Sequence, residues 1–375
     1  MGTHEDRAVH ADALHMAPGF QGGRAMSRTH VVAVLMLAAL TALPSPAGAW
    51  TRRQARTFAT LPEGATAPEG LEVDAAGNVY ATEFGFTNGG PVEGPGQLDV
   101  FTSSGKLMRR VPVAGSSAHL LALAFHPATR ALLVVDFGGA RVLAVDPETG
   151  ASTPFLTLPQ TLPHPELGGA GLNDVTFDRA GNVYVSDSFQ GVVWRTGPDG
   201  GVASVWVDDP LLRTTGVPPF GANGLRFDRD EAALYVANTG GDMVVKVPVT
   251  GGAAGTPEVF VTGINGADGL LVDRDGNLWV VANQADEIVV VDPGGRAIAK
   301  LGDFDGIGEK GAPVGLLFPA SLRFSGDSLL VTNLALDLRL FNPAFASVDS
   351  PWTAEVTRST IARLPARIPP IRSRE

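Results

Sequence analysis

The sequence contains no cysteine. That absence removes disulfides, thiol catalysis and cysteine-ligated zinc together. Histidine is scarce as well. There are seven, and only His119, His126 and His164 lie beyond residue 49, so a histidine-rich metal site is hard to build. Positive charge is in deficit: 28 Lys and Arg against 39 Asp and Glu leave a net charge of −11. Such a balance argues against nucleic acid or an anionic membrane surface as partner. The apolar run at residues 31–43, VVAVLMLAALTAL, is shorter than the roughly 20 residues a membrane-spanning helix needs.

That run has a different meaning. It follows Met26-Ser-Arg-Thr-His and precedes a small-residue site, Ala47-Gly48-Ala49. A short basic start, an apolar centre and such a site predict a secretory signal peptide over 26–49. Residues 1–25 carry no periodic pattern and are expected to be an untranslated or disordered extension. No cysteine follows the run to take a lipid. Residues 50–375 are then expected to be one domain, secreted or periplasmic, with no membrane anchor after cleavage.

What is present is repetition. PEGLEVDAAGNVYATEFG (68–85), LLALAFHPATRALLVVDFG (120–138), LNDVTFDRAGNVYVSDSF (172–189), ANGLRFDRDEAALYVANTG (222–240), ADGLLVDRDGNLWVVANQ (267–284) and PASLRFSGDSLLVTNLA (319–335) are versions of one pattern. Each is a short apolar strand, a turn, and a second apolar strand ending in an acid or amide. A third strand follows (LDVFT, VLAVD, VVWRT, MVVKV, EIVVVD, LRLFN), and usually a fourth. Taking the position four before the last apolar residue of each first strand as a register mark gives Glu69, Leu121, Asn173, Asn223, Asp268 and Ala320. Their spacings are 52, 52, 50, 45 and 52. Repeats of about 50 residues with four strands each predict an all-β fold, a six-bladed β-propeller with four-stranded blades. The sixth repeat lacks a clear fourth strand; RTFATL (56–61) and TRSTIARL (357–364) compete to supply it. A closed ring exposes no sheet edge and needs no partner, so a monomer is expected.

In a propeller the first strand of each blade lines the axis, so the marks converge at one face. Four of them carry oxygen: Glu69, Asn173, Asn223 and Asp268. A carboxylate entering a core at Asp268 is costly unless something pairs with it. Two carboxylates and two amides suit Ca²⁺, which takes 6–8 oxygens, with Mg²⁺ or Mn²⁺ as second choices. The second-strand ends Glu83, Asp136, Asp187, Asn238, Asn283 and Asn333 form an outer ring, suited to loop capping or to supporting the hub. Asp74, Asp178, Asp228 and Asp273 sit at the opposite face as turn residues. His119, two residues before the second mark, lies near the axial mouth as a candidate base. His126 lies at the far end of that strand. His164 sits in a loop on the mouth's side.

The elements PEG at 68–70, Asn173-Asp174, Ala-Asn-Gly-Leu at 222–225 and Ala-Asp-Gly-Leu at 267–270 resemble the regucalcin–gluconolactonase family (senescence marker protein type) of six-bladed propellers. The resemblance spans most of 56–342. It implies a catalytic calcium held by Glu69, Asn223 and Asp268, with Asn173 as fourth ligand or substrate contact, and hydrolysis of lactones or phosphoesters. Two departures stand out. Sugar-lactonase members often carry an arginine where this chain has Gly171, and the histidine pair of the related paraoxonases has no counterpart.

The expected function is a calcium-dependent hydrolase of a lactone, ester or phosphoester. The small-molecule substrate is bound at the axial metal, and Asp268 and His119 are the candidate catalytic residues. The alternative is a non-catalytic secreted propeller whose structural calcium supports binding of a protein, glycan or small ligand.

Overall fold

The computed structural model describes residues 52–368, apart from 88, 341 and 348–350. The predicted signal peptide and the extension before it lie outside the described residues. Among the described residues there are strands and short 3-10 turns and no α-helix, so the fold is all-β. The local cause is plain in the sequence. Runs such as Leu120–Phe125 and Leu278–Ala282 are continuous, apolar and short, and they are buried along almost their whole length. Strands covered on both faces require that pattern.

The sheets are antiparallel meanders. Pro68–Val73, Val79–Glu83, Gln97–Phe101 and Leu107–Pro112 form one, and Ala267–Val272, Leu278–Ala282, Glu287–Val291 and Ala297–Leu301 form another. Two further meanders run from Leu120 to Thr157 and from Leu172 to Asp208. A short parallel contact, Leu156 with Gly201 and Thr157 with Val202, joins them into one eight-stranded sheet. Ala222–Phe227, Ala233–Asn238 and Met243–Thr250, with short partners Ala253–Ala254 and Glu258–Thr262, make a five-stranded sheet.

The last sheet draws on both ends of the described chain. Its order is Pro319–Ser325, Ser328–Asn333, Thr360–Pro365 and Arg56–Thr60. The two candidates for the missing strand are therefore both used, one as third strand and one as fourth. The expected third strand, LRLFN, is corrected: Leu338–Leu340 is a 3-10 turn. Leu338 is buried against the hub there, so this segment packs as a loop and leaves the sheet position to Thr360–Pro365.

First strands of successive sheets are neighbours, and Pro319–Ser325 returns to Pro68–Val73. Hydroxyl groups stitch these neighbours together. Thr82 Oγ1 donates to the Leu121 carbonyl, Ser188 Oγ to that of Ala222 (2.7 Å), Thr239 Oγ1 to Ala267 (2.8 Å) and Thr332 Oγ1 to Glu69 (2.8 Å). The arrangement is propeller-like. Between sheets lie apolar layers, including the fully buried Trp194 and Trp279. Each such side chain contributes on the order of 1.5–3 kcal/mol by leaving water, which dominates over any single hydrogen bond.

The predicted turn role of the aspartates at the far end holds. Asp74 accepts from the Ala76 and Asn78 backbone, the Asn78 amide and Tyr80 OH. Asp178 repeats this with Asn182 and Tyr184, and Asp273 with Asn277 and Trp279. Asp228 accepts from the Ala232 N–H.

Candidate functional site

Every register mark is the second residue of its first strand. In all six hairpins the ladder skips at this point, for example between Ala222 and Leu225 and between Ala267 and Leu270. Such a bulge frees the mark from cross-strand pairing and re-aims its side chain. The glycines that follow have a steric cause. A Cβ on Gly70 would lie 2.4 Å from the Leu121 carbonyl oxygen, and one on Gly224 would lie 2.4 Å from that of Asp268. Neighbouring backbones approach too closely for any side chain there.

The result is a single pocket whose floor holds Glu69, Asn173, Asn223 and Asp268 together, joined by Thr239 and Asn283. The four predicted residues, drawn from four repeats, are all buried. Their hydrogen bonds are one-sided. Asn223 Nδ2 donates to Thr239 Oγ1 at 2.9 Å, Asn173 Nδ2 to Ser188 Oγ at 3.2 Å, and Asn283 Nδ2 to Asp268 Oδ2 at 3.0 Å. The amide nitrogens are thereby occupied. Glu69 Oε2, Asn173 Oδ1 and Asn283 Oδ1 are buried with no hydrogen-bond partner. An unsatisfied buried acceptor costs about 1–3 kcal/mol, so three around one pocket is a concentrated cost. All three are oxygens, the donor type a hard cation takes.

Electrostatics agrees. Burial raises the Glu69 carboxyl well above the usual range; Asp268 and Asp174 push it further, while Arg323 opposes. Asp268 is pushed to about 7, chiefly by burial, against hydrogen bonds from Asn283, Asn223 and the Gly269 N–H. Among the described residues no three His, Asp or Glu side chains form a metal cluster. The hub offers two carboxylates, and its remaining oxygens are amides and a hydroxyl. This donor set fits an oxygen-seeking cation and does not fit zinc.

A second polar tier lies below. Arg226 and Arg323 sit three residues beyond their marks, about 10 Å along the strand. Arg226 Nη1 donates to Asp174 Oδ2 at 2.7 Å, and Arg323 Nε to Glu72 Oε2 at 3.3 Å. The Asn-Asp pair thus divides its work: Asn173 faces the pocket while Asp174 holds an arginine beneath it.

The histidines are placed away from the floor. His119 Nδ1 is 2.7 Å from the Phe84 carbonyl oxygen and the ring stacks on Phe86; Phe84 lines the pocket and His119 does not. His126 is buried against Gly181, 2.9 Å from its carbonyl oxygen, and His164 pairs with Asp208. In the outer ring, Asp136, Asp187, Asn238 and Asn333 cap loop backbone, and Glu83 binds Thr66 and Arg110. Only Asn283 of that ring lines the pocket.

The pocket's wall was not foreseen from the sequence. Beside the polar residues it is built by Phe84, Pro218, Phe220, Phe318, Leu334, Leu336 and Leu338, together with the register mark Leu121. The three leucines come from the 334–359 connection, whose pattern reads as a strand until the fold shows otherwise. At Gly171 a Cβ would meet the Phe189 ring at 2.7 Å, so no side chain reaches the mouth from that position.

Residues 117–302 match the SMP-30/Gluconolactonase/LRE-like region. Over that span the chain is similar to this family. The SMP-30/gluconolactonase-like region includes Asn173, Asn223 and Asp268; Glu69 lies before it and joins them only through the fold. Solved structures agree on architecture. A luciferin-regenerating enzyme aligns with a TM-score of 0.59 at 17% identity, over 84% of this chain and 95% of that one. A calcium-binding protein, regucalcin, from Agrobacterium tumefaciens gives 0.57 at 18%, over 85% and 97%. A gluconolactonase from Xanthomonas campestris gives 0.54 at 18%, over 84% and 96%. No curated protein matches the sequence.

Proposed function

We propose that this chain is a calcium-dependent hydrolase of a lactone or related ester, built as six four-stranded blades around the axial pocket. The observation that carries the reading is the set of buried, unpartnered oxygens on Glu69, Asn173 and Asn283, arranged with Asp268 at the floor of one pocket. The family match and the names of similar structures support it. Glu69, Asn173, Asn223 and Asp268 would hold the cation, with Mg²⁺ or Mn²⁺ as weaker substitutes. A cation in that position supplies Lewis-acid polarisation of a carbonyl or phosphoryl oxygen.

The chain's own residues do the remaining work. Asp268 is the carboxylate oriented by a neighbour, Asn283, and we assign it to water activation or direct attack on the carbonyl carbon. Asn223 and Asn173 present carbonyl oxygens because Thr239 and Ser188 occupy their amide nitrogens. The apolar wall excludes water, which strengthens every charge interaction at the floor. His119, whose Nδ1 lies against the Phe84 carbonyl, keeps its other ring nitrogen for the part of candidate base.

Secretion or periplasmic location, monomeric state and a small-molecule substrate complete the proposal, resting on the leader-like segment, the closed ring and the pocket. The test is a lactone, ester and phosphoester panel on purified protein with calcium and with chelator. Turnover that vanishes on chelation and in Asp268→Ala supports the reading. Turnover that persists in Asp268→Ala overturns it. A loss of thermal stability on chelation with no turnover of any substrate would favour the non-catalytic alternative.

A further inference from the structure

We infer that the pocket selects a lactone or ester with an apolar alkyl or aryl substituent, not a polyhydroxylated sugar lactone; this rests on the hydrolase reading above. Floor and wall are chemically segregated. Every polar side chain lining the pocket belongs to the floor: Glu69, Asn173, Asn223, Thr239, Asp268 and Asn283. Among the described residues that line the wall, all side chains are hydrocarbon. Thr239 is already spent, donating to the Ala267 carbonyl and accepting from Asn223.

The wall has two halves. One is Phe84 and Phe220, backed by two rings that do not line the pocket: Phe84 lies 5.8 Å from Phe137, Phe137 5.6 Å from Phe189, and Phe189 5.4 Å from Phe220, centroid to centroid. The other is Phe318 with Leu334, Leu336 and Leu338. Phe84, Phe318 and these leucines belong to one contiguous buried cluster. The cavity itself measures about 50 Å³ and opens to solvent.

A ligand in this space places its carbonyl at the floor and its remainder against hydrocarbon. Hydroxyl groups on that remainder would give up water and find no acceptor, a cost that rises with each one. Methylene groups there gain, by about threefold to fourfold in affinity each.

The experiment has two arms on the calcium-loaded full chain. In the first, kcat/KM is measured for γ- and δ-lactones with alkyl chains of increasing length, and for D-glucono-δ-lactone. In the second, binding of non-hydrolysable alkyl lactams of the same series, and of gluconolactam, is followed by calorimetry. The expected result is a rise of about threefold to fourfold per methylene over the first few carbons in both arms, with the sugar compounds weakest. Leu336→Asn flattens that rise; if the variant does not fold, the lactam series on the native chain carries the test. Lactam affinity that climbs with chain length while no lactone turns over keeps the apolar-ligand inference and removes the hydrolase reading. Affinity flat with chain length, or gluconolactone turned over as well as the alkyl lactones, overturns the inference and leaves the hydrolase reading standing.

Discussion

Asn283 donates to Asp268 across 3.0 Å while its own carbonyl oxygen, buried, receives nothing. One side chain thus orients the central carboxylate and leaves an acceptor at the same pocket. Asn283 is a positioning residue in this arrangement. Replacing it with Ala is expected to weaken calcium binding by about 10–100-fold, the usual effect of losing a group that orients a ligand. Calcium titration by calorimetry measures this. The same change should lower turnover without abolishing it once calcium is saturating. Unchanged calcium affinity would remove Asn283 from the site.

The metal-free hub should make stability depend on pH in an unusual direction. In the fold Glu69 and Asp268 hold their protons well above the normal range, Asp268 to about 7, because both are buried. In the unfolded chain both titrate near ~4. Their contribution is fully present below that value and is lost as pH rises through the folded values. The chelated protein should therefore show a falling Tm from pH 5 to pH 8 from these groups. Saturating calcium should remove the fall, since the cation stabilises the ionised forms. Scanning calorimetry at several pH values, with calcium and with chelator, decides it; coincident profiles would show that the carboxylates do not meet a cation.

Gly224→Ala tests the close packing of strand heads. The new Cβ would lie 2.4 Å from the Asp268 carbonyl oxygen and 2.9 Å from Gly269 Cα, both backbone atoms that cannot swing aside. A loss of about 1–3 kcal/mol in denaturant unfolding is expected, with weaker calcium binding because Asp268 is displaced. Gly197→Ala, which meets nothing within 4 Å, is the control and should be near neutral.

Arg226→Met should cost about 3–5 kcal/mol, since it strands the Asp174 carboxylate in a buried position. A double change, Asp174→Leu with Arg226→Met, should recover much of that loss, because two uncharged partners leave nothing unpaired. Equal stability of the single and double variants would show that the pair is not coupled.

Ring closure is tested by truncation. A chain beginning at residue 62 lacks Arg56–Thr60 and the buried Leu61. Thr360–Pro365 then becomes a bare sheet edge. Burial and ladder losses together amount to ~3 kcal/mol or more, read as a lower Tm and concentration-dependent aggregation. Unaltered behaviour would mean the outer strand contributes nothing to closure.

Much of this site was legible in the residues because strand periodicity is a local property. Glu69, Asn173, Asn223 and Asp268 share one position in a repeated unit, and equal positions in equal units meet at an axis. The turn aspartates were legible for the same reason: the recurring Asp, Asn and aromatic spacing closes on itself within seven residues. The segment around LRLFN misled because alternate leucines satisfy a strand and a buried loop equally well. Only the competition of Thr360–Pro365 for the sheet position decided between them. His119 stood near the mouth by count, yet the orientation of its ring depended on the Phe84 carbonyl, which lies 35 residues away in sequence.

By itself, then, the sequence determined the all-β character, the repeat and the oxygen set, since each follows from spacing within a strand or between copies of one unit. Tertiary structure alone decided which amide nitrogens are occupied, that Asp174 turns to Arg226, and that hydrocarbon from five distant segments walls the pocket. Those outcomes depend on side chains far apart in the chain meeting in three dimensions, and local periodicity carries no information about such meetings.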